Sequence, residues 1–365
     1  MSASGDAART DPDKLAAILG DWLAKRHPDA TGIAVSNLRN PAQGFSNETW
    51  LFDLDWVRDG KPAVQGMVLR IEPRAAGTFP DYDVSLQYRC MEGLQGSAVP
   101  VPRLFGFETG TGLLGARFYL MERIDGQVPN ENPLYHVEGW MHALSPEQRA
   151  ALWMEGIDLI ARIGNVDIAG GSFDFLDQRQ FGATPLEQML GYFRNHMLWA
   201  ESLNRPYPHL HRACDWLDAN RPADQPAGLC WGDAKLGNCV YRDGRLVAAL
   251  DWEGAHLGSP VVDLAWWLSI DRCLSEGYGV PRLAGLPSRD ASVARWEAAS
   301  GRKAMNLEYY EVFSAFKLAN HGPHRHRIPA ARPAPAGLPD GHRQWRRQGA
   351  GAARRPARLL TIQAG

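Results

Sequence analysis

The chain has few cysteines, and none of them form a C-x-x-C pair. Its five cysteines are spread over 365 residues, and their number is odd. A zinc ribbon or a thioredoxin-type redox site needs two closely spaced thiols, so the sequence excludes both kinds of site, and a disulfide framework is not expected. We therefore predict free thiols and a reducing, cytoplasmic location.

The sequence also lacks a membrane-spanning segment and a strong charge of either sign. No run of about eighteen apolar residues occurs, and the start, MSASGDAARTDPDK, is polar rather than basic and then apolar. The formal net charge of -2 gives no general attraction for nucleic acid or lipid headgroups. We expect no membrane partner and no nucleic-acid partner, so binding must depend on local sites.

What the chain does contain is enough apolar sequence for a substantial core, at 45% hydrophobic residues. Helical spacing of apolar residues predicts a helix over 14–25, and alternating runs predict a hairpin with strands over 49–57 and 66–71. A helix over 83–94 and strands in VPVPRLFGFE and RFYLMERIDG complete a small mixed sheet with one helix. This first part of the chain is predicted to be rich in strands.

The chain beyond residue 126 is predicted to be mainly helical. Ser145 and Thr184 each precede a proline, as expected for a side-chain cap followed by proline at the first helical position. A further helix is predicted over 306–320. Its apolar face consists of Tyr309, Val312, Phe313 and Phe316.

The last part of the chain differs in composition from the rest. From His321 onward it contains nine Arg, one Asp and no Lys, with many Pro, Ala and Gly. Such a segment cannot bury enough apolar surface to offset the entropy lost on ordering. We interpret it as a disordered extension or as the product of a frameshift in a GC-rich gene, and expect no catalytic group in it. A tail that binds nucleic acid is the alternative.

The stretch WGDAKLGN, residues 231–238, combines an acid, a cation and an amide. Asp233 lies five residues before Asn238, the D-x-x-x-x-N spacing of kinase catalytic loops, in which the aspartate orients the substrate hydroxyl and accepts its proton. Lys235 would place a positive charge beside the transferred phosphoryl group. The pattern predicts phosphoryl transfer with Asp233 and Lys235 as catalytic residues, and Asp263 as a structural acid that braces this loop.

A second acidic stretch, LDWEG at 250–254, follows a predicted hairpin. A turn at 242–244 joins two short strands and brings Asn238 and Asp251 to the same end of the hairpin. Amide and carboxylate oxygens form a hard-oxygen site suited to Mg²⁺ that phosphates also hold. Glu253 is a third candidate metal ligand, either directly or through a water molecule.

These residues also carry a family resemblance. The stretch WGDAKLGNCVYRDGRLVAALDWEGAHLGSPVVDLAWW is similar to the core of the aminoglycoside phosphotransferase-like family, usually H-G-D-x-x-x-x-N followed by D-x-[DE] and P-x-x-D-L-A. It most resembles the bacterial branch related to the phosphotransferase domain found beside some acyl-CoA dehydrogenases. QGFSNETW, MVLR, VPVPRLFGF and FYLMERIDG occur in the family order, and the likeness covers residues 32–320.

The resemblance implies an α+β, protein-kinase-like two-lobed fold and ATP-dependent transfer of the γ-phosphate to a hydroxyl of a small molecule, with ATP and Mg²⁺ as cofactors. Glu122 and Ile124 belong to the implied hinge, whose backbone would bind adenine. The implied nucleotide loop contains Gly44, Phe45, Ser46 and Asn47. The acceptor stays open among an antibiotic, a sugar, an amino alcohol and a hydroxyacyl thioester.

Three positions depart from the family pattern. Trp231 stands where the family has His, which we expect to alter loop packing. Arg70 replaces the nucleotide-binding Lys and can hold phosphate through two nitrogens. Gln87 replaces the Glu that would pair with it, so a neutral hydrogen bond is expected. These departures leave open a catalytically weak or inactive nucleotide-binding protein with a regulatory role, whereas a protein kinase is disfavoured because no A-P-E sequence follows Asp251.

The predicted organisation has four parts. Residues 1–30 form a flexible start and a capping helix, and residues 31–125 form the nucleotide-binding N-lobe. Residues 126–320 form the catalytic and substrate-binding C-lobe, and residues 321–365 form the tail.

Overall fold

The computed structural model describes residues 11–41, 48–73, 82–203, 205–223 and 227–321. Within those limits the chain forms two compact units. The first consists of the described residues up to 127 together with 169–173 and 238–255, and the second of those in 128–168, 174–237 and 256–321. Residues 238–255 therefore group with the first unit, although the sequence placed them in the C-lobe.

The first unit is built on a five-stranded antiparallel sheet with the strand order β1-β2-β3-β5-β4. Its elements are α1 (Pro12–Arg26), β1 (Thr31–Arg39), β2 (Glu48–Arg58), β3 (Lys61–Ile71), α2 (Val84–Leu94), β4 (Leu104–Glu108) and β5 (Phe118–Glu122). The predicted helices and the β2–β3 hairpin are confirmed, and β3 begins earlier than predicted. Strand β1 was not predicted.

Alternation along β2 explains why this sheet has one buried face. Phe52, Leu54 and Trp56 are buried together with Leu19 of α1, whose helix begins after an Asp11 side-chain cap. Intervening residues of β2 are more exposed, as the two-residue period of a strand requires. Helix α1 thus covers the sheet, as predicted for a capping helix.

A second hairpin in the first unit carries the predicted metal ligands. Strands β7 (Cys239–Arg242) and β8 (Arg245–Ala249) are joined by a turn in which Asp243 and Gly244 have φ of 52° and 75°. Positive φ at both central residues is typical of the tight turn that matches strand twist. The Ala249 amide donates to the Pro100 carbonyl at 2.8 Å, so the hairpin is tied to the chain before β4.

The second unit is mainly helical, as predicted. Its elements are α3 (Pro146–Gly164), α4 (Pro185–Leu203), α5 (Pro208–Ala219), β6 (Gly228–Cys230), β9 (His256–Gly258), α6 (Val261–Leu274), α7 (Arg289–Ser300) and α8 (Leu307–His321). Strands β6 and β9 pair with each other. Ser145 and Gln148 form a reciprocal capping box at the start of α3, and Thr184 accepts a backbone bond from Glu187 at the start of α4.

Helix α8 packs its apolar face into the second unit against α4, α5 and α6. Tyr309, Phe313 and Phe316 are buried, which confirms the predicted face. Its end is held by Asn320, whose side-chain amide donates to the Phe193 carbonyl at 2.9 Å. The predicted tail lies outside the described residues.

Disulfides and membrane-spanning helices were not expected from the sequence. All five cysteines are free thiols, and four of them are buried. Among the described residues, none of the helices has the length and apolarity needed to cross a bilayer.

Candidate active site

The loop that follows β6 is held by a buried carboxylate. Asp263 of α6 is 1% exposed and accepts the backbone N–H of Trp231 at 2.6 Å and of Gly232 at 2.9 Å. Burial raises the pKa of Asp263 to about 6, while these two N–H groups and Lys317 favour its charged form. The prediction that Asp263 braces this loop is confirmed. Trp231 is fully buried, which fits a packing role for that residue.

Asp233 is the next acid along this loop, and both of its carboxylate oxygens are close to polar side chains. Its Oδ1 accepts a hydrogen bond from Trp266 Nε1 at 2.8 Å. Its Oδ2 lies 3.5 Å from Lys235 Nζ. The predicted acid and cation are therefore neighbours in space, and Trp266, whose contact with the acid was not predicted, orients it.

Glu131 contacts this loop, and sequence reasoning did not predict that contact. Lys235 Nζ lies 3.1 Å from its Oε1 and 3.3 Å from its Oε2. A Cβ added to Gly237 would collide with the same carboxylate, so a side chain at that position would have to displace it. The Lys235 ammonium therefore lies within 3.5 Å of two carboxylates, those of Glu131 and Asp233. No spacing pattern in the sequence links residue 131 to residues 233–237.

Lys317 of α8 was also missed, because the helix was recognised only by its apolar face. Its side chain is 8% exposed, and its Nζ donates to the Gly232 carbonyl. The same Nζ lies 3.8 Å from the centroid of the Trp266 ring. A cation at that distance is attracted by the electron-rich face of an indole.

The hairpin in the first unit brings the predicted metal ligands to one end. Cys239 pairs with Ala249, and the Leu250 amide donates to the Asn238 carbonyl at 2.9 Å. Asn238 and Asp251 therefore flank the same end of the hairpin, as predicted. Asp251 has a φ of 61°, a left-handed conformation that most non-glycine residues avoid, and Glu253 lies in the short helical turn that follows.

The side-chain oxygens at this end of the hairpin suit a magnesium ion only together with further ligands. In the part of the chain that is described, no group of three or more His, Cys, Asp or Glu side chains is arranged to hold a metal by itself. Mg²⁺ is commonly bound through one or two carboxylates, water and substrate phosphates. Asn238, Asp251 and Glu253 fit that kind of site, and their metal role stays a prediction.

Arg70 of β3 lies beside this hairpin within the same unit. Its Nη2 is 3.4 Å from Asp251 Oδ1 and 3.5 Å from Gln87 Oε1, which also accepts the Tyr119 hydroxyl at 3.1 Å. The predicted contact, in which Arg70 donates to the neutral amide of Gln87 rather than to a carboxylate, is present. Burial lowers the pKa of Arg70, but its interactions with Tyr119, Asp251 and Glu253 outweigh this effect and raise the pKa above the ordinary value.

The predicted hinge lies at the end of β5, which is an inner strand of the sheet. The Glu122 amide donates to the Arg103 carbonyl and the Arg123 amide to the Gly66 carbonyl, both at 2.8 Å. Ile124 follows directly. The predicted nucleotide-loop residues Gly44, Phe45, Ser46 and Asn47 lie outside the described residues.

Comparison with known sequences places this chain near phosphotransferases and acyl-CoA dehydrogenases. A model described as "Phosphotransferase enzyme family" matches residues 37–296. The Arabidopsis thaliana protein named "Probable acyl-CoA dehydrogenase IBR3" is 25% identical over 335 residues, 86% of this chain and 38% of that protein. Acyl-CoA dehydrogenase family member 11 of Rattus norvegicus is 24% identical over 271 residues, 70% of this chain and 33% of that protein. The chain therefore spans little more than a third of these relatives.

Solved structures with the same architecture cover nearly the whole chain. A candidate aminoglycoside phosphotransferase from Ralstonia eutropha JMP134 is 22% identical with a TM-score of 0.64, covering 93% of this chain and 98% of that one. A thermostable mutant of aminoglycoside phosphotransferase APH(4)-Ia with ADP and hygromycin B is 14% identical with a TM-score of 0.56, covering 92% and 98%. At these identities the likeness concerns the fold, and it confirms the predicted α+β, protein-kinase-like fold.

Proposed function

Because this chain belongs to the phosphotransferase enzyme family, we propose that it transfers the γ-phosphate of ATP to a hydroxyl of a small molecule. The observation that carries the proposal is the anchored carboxylate of Asp233. Trp266 holds one of its oxygens at 2.8 Å, and Lys235 lies 3.5 Å from the other. Phosphoryl transfer asks the protein mainly to position groups and neutralise charge, and an oriented acid beside a cation does both.

In this proposal Asp233 accepts the proton of the acceptor hydroxyl. The acceptor oxygen forms a bond to the γ-phosphorus while the bond from that phosphorus to the bridging oxygen of ADP breaks. Lys235 offsets the negative charge on the moving phosphoryl group. Glu131 limits the freedom of the lysine, because its carboxylate lies 3.1 Å from Nζ.

The nucleotide would be held through the hairpin and the sheet of the first unit. Asn238, Asp251 and Glu253 would bind a magnesium ion, which supplies charge neutralisation at the phosphates. Arg70, 3.4 Å from Asp251, would contact a phosphate oxygen through its guanidinium. The ADP and hygromycin B bound to the APH(4)-Ia relative support a nucleotide and a hydroxyl-bearing small molecule as ligands.

The test is an assay of the full chain with radiolabelled ATP, magnesium and a panel of hydroxyl-bearing metabolites and antibiotics. Asp233→Asn should lower turnover by about 100-fold or more, the scale of a lost general base. Its Mg·ATP affinity, measured by calorimetry, should stay within about threefold of wild type because the change is local. Turnover close to wild type in the variant would remove Asp233 from this role.

The alternative is a nucleotide-binding protein of this fold with little or no turnover and a regulatory role. The 3.5 Å contact between Arg70 and Gln87 favours this alternative, because a neutral amide stands where the family has the carboxylate of an ion pair. Binding of Mg·ATP without transfer to any member of the panel, and without hydrolysis, would support this alternative over the enzyme.

A further inference from the structure

Helix α6 presents two side chains to the loop that carries Asp233. Asp263 and Trp266 are three residues apart, so they lie one above the other on the same helical face. Asp263 accepts two backbone N–H groups of the loop, and Trp266 donates to the Asp233 side chain. The first contact fixes the path of the backbone, and the second fixes the orientation of the carboxylate.

Lys317 of α8 contacts the face of the Trp266 indole ring. Its Nζ lies 3.8 Å from the ring centroid and donates to the Gly232 carbonyl. An indole has one hydrogen-bond donor, its Nε1–H, and no acceptor nitrogen. A positive charge over the ring draws electron density from that N–H and makes it a stronger donor to an anion. Lys317 therefore both packs the indole in place and favours its bond to an ionised Asp233.

The neighbouring Trp267 shows that burial alone does not explain Trp266. Trp267 lies on the same helix, is 1% exposed and makes an edge contact with Trp153, with a ring separation of 5.3 Å. Its ring also fills the space that a side chain on Gly156 would occupy. Among the described residues its Nε1 has no hydrogen-bond partner. Two adjacent tryptophans thus differ in function: one packs, and the other donates to the acid.

We propose that Trp266 is the positioning residue for Asp233, and that Lys317 supports it. The indole N–H holds Oδ1, so that the carboxylate presents Oδ2, the oxygen nearer Lys235, to the acceptor hydroxyl. The proton of that hydroxyl then passes to Oδ2 as the phosphorus–oxygen bond forms. This inference rests on the proposed function and adds a residue to its machinery.

The contact itself can be tested without any activity by NMR of the full chain labelled with ¹⁵N-tryptophan. Trp266→Phe identifies the Trp266 indole N–H resonance by its loss, and Trp267→Phe identifies its neighbour. Asp233→Asn should then move the Trp266 resonance further than the Trp267 resonance, because the amide is a weaker acceptor than a carboxylate. Lys317→Met should also move it. A Trp266 resonance that moves no more than that of Trp267 in both variants would overturn the proposal.

The positioning role is tested by the slow hydrolysis of Mg·ATP, with water in place of the acceptor. Trp266→Phe keeps the ring and removes the donor, so kcat should fall about tenfold through misplacement of the acid, while KM for ATP stays within about twofold. The acidic limb of the pH–rate profile should move to higher pH, because the ionised carboxylate loses a hydrogen bond. Within the described parts of the chain, titratable groups around Asp233 and the Trp266 ring include Lys235, Glu131, Asp263, Lys317 and His256, and all of these remain in the variant.

The matched control is Trp267→Phe, which should lower stability without moving the pH profile. If Trp266→Phe fails to fold, Lys317→Met serves instead, with a smaller loss of kcat and a shift of the profile in the same direction. Equal profiles in the Trp266 and Trp267 variants would refute the positioning role. If the wild type neither hydrolyses ATP nor phosphorylates any acceptor, the proposed function fails, and the NMR result still decides whether Trp266 orients Asp233.

Discussion

The side-chain contacts that anchor the loop carrying Asp233 are shorter than those that Arg70 makes beside the hairpin carrying Asp251. In the second unit, Asp233 and Asp263 together accept three hydrogen bonds of 2.6 to 2.9 Å, and each bond has one partner on α6. In the first unit, the Arg70 contacts to Asp251, Gln87 and Thr49 measure 3.4 to 3.5 Å. Hydrogen bonds weaken towards the long end of this range. The difference indicates that the fold itself fixes the acid, whereas Arg70 can exchange partners at little cost.

The strongest test of this contrast is Asp263→Asn. An amide offers one oxygen, so one of the backbone N–H groups of Trp231 and Gly232 would face an NH₂ group instead of an acceptor. We expect a loss of about 3 kcal/mol in the free energy of unfolding, the scale of a broken buried polar network. Urea unfolding measures it. A loss below about 1 kcal/mol would mean that the short contacts do not hold the loop.

Asp251→Asn should abolish most of the magnesium dependence of nucleotide binding, and it should do so without straining the backbone. Asn tolerates the left-handed backbone that Asp251 adopts at φ 61°, so only the charge is removed. We expect ATP affinity in the presence of Mg²⁺ to fall by about 10- to 150-fold, because a lost charge-assisted contact costs about 1.5–3 kcal/mol.

Titration calorimetry with and without magnesium measures the effect of Asp251→Asn. The matched control is Asp243→Asn, which changes a left-handed aspartate at the other end of the same hairpin. If both variants keep the wild-type magnesium dependence, Asp251 is a structural acid.

Arg70→Ala should weaken ATP binding while changing the free energy of unfolding little. Because its contacts are long, the free energy of unfolding should change by less than about 1 kcal/mol. ATP affinity should fall about tenfold while adenosine affinity stays unchanged, since the lost contact is to phosphate. Arg70→Lys, which restores the usual family residue, should recover part of the loss. Equal losses for ATP and adenosine would contradict the phosphate role.

The smallest expected effect belongs to Asp53 on β2, which pairs with Arg123 at 2.8 Å. Hydrogen bonds from Asn37 and Arg123 lower the pKa of Asp53. A lowered pKa means that this acid stabilises the folded state above its unfolded value of 3.8, and that the contribution is lost as the pH falls through the folded pKa. Asp53→Asn should therefore cost about 0.5–1 kcal/mol at neutral pH, and the cost should shrink as the pH falls below the unfolded value of 3.8. A constant cost across this range would exclude the ionic contribution.

Local patterns predicted most elements, and their failures have a physical cause. Strand β1 was missed because residues 31–39 bury no side chain completely, so their alternation is faint. The hairpin at 239–249 was predicted because its turn and apolar runs are adjacent in sequence. Glu131, Trp266 and Lys317 were not assigned to the site, because each reaches the loop from a distant segment. Their contacts with the loop span 104, 33 and 85 residues of sequence, which no spacing motif encodes.

The bond from Lys317 to the Gly232 carbonyl has a consequence for synthesis of the chain. The two residues are 85 positions apart, and a ribosome adds about 5–20 residues per second, so roughly 4–17 s pass between them. During that interval the loop can gain its α6 contacts, but the cation that backs Trp266 has not yet been made. The contacts of the loop with Asp263 can therefore form before its contact with α8.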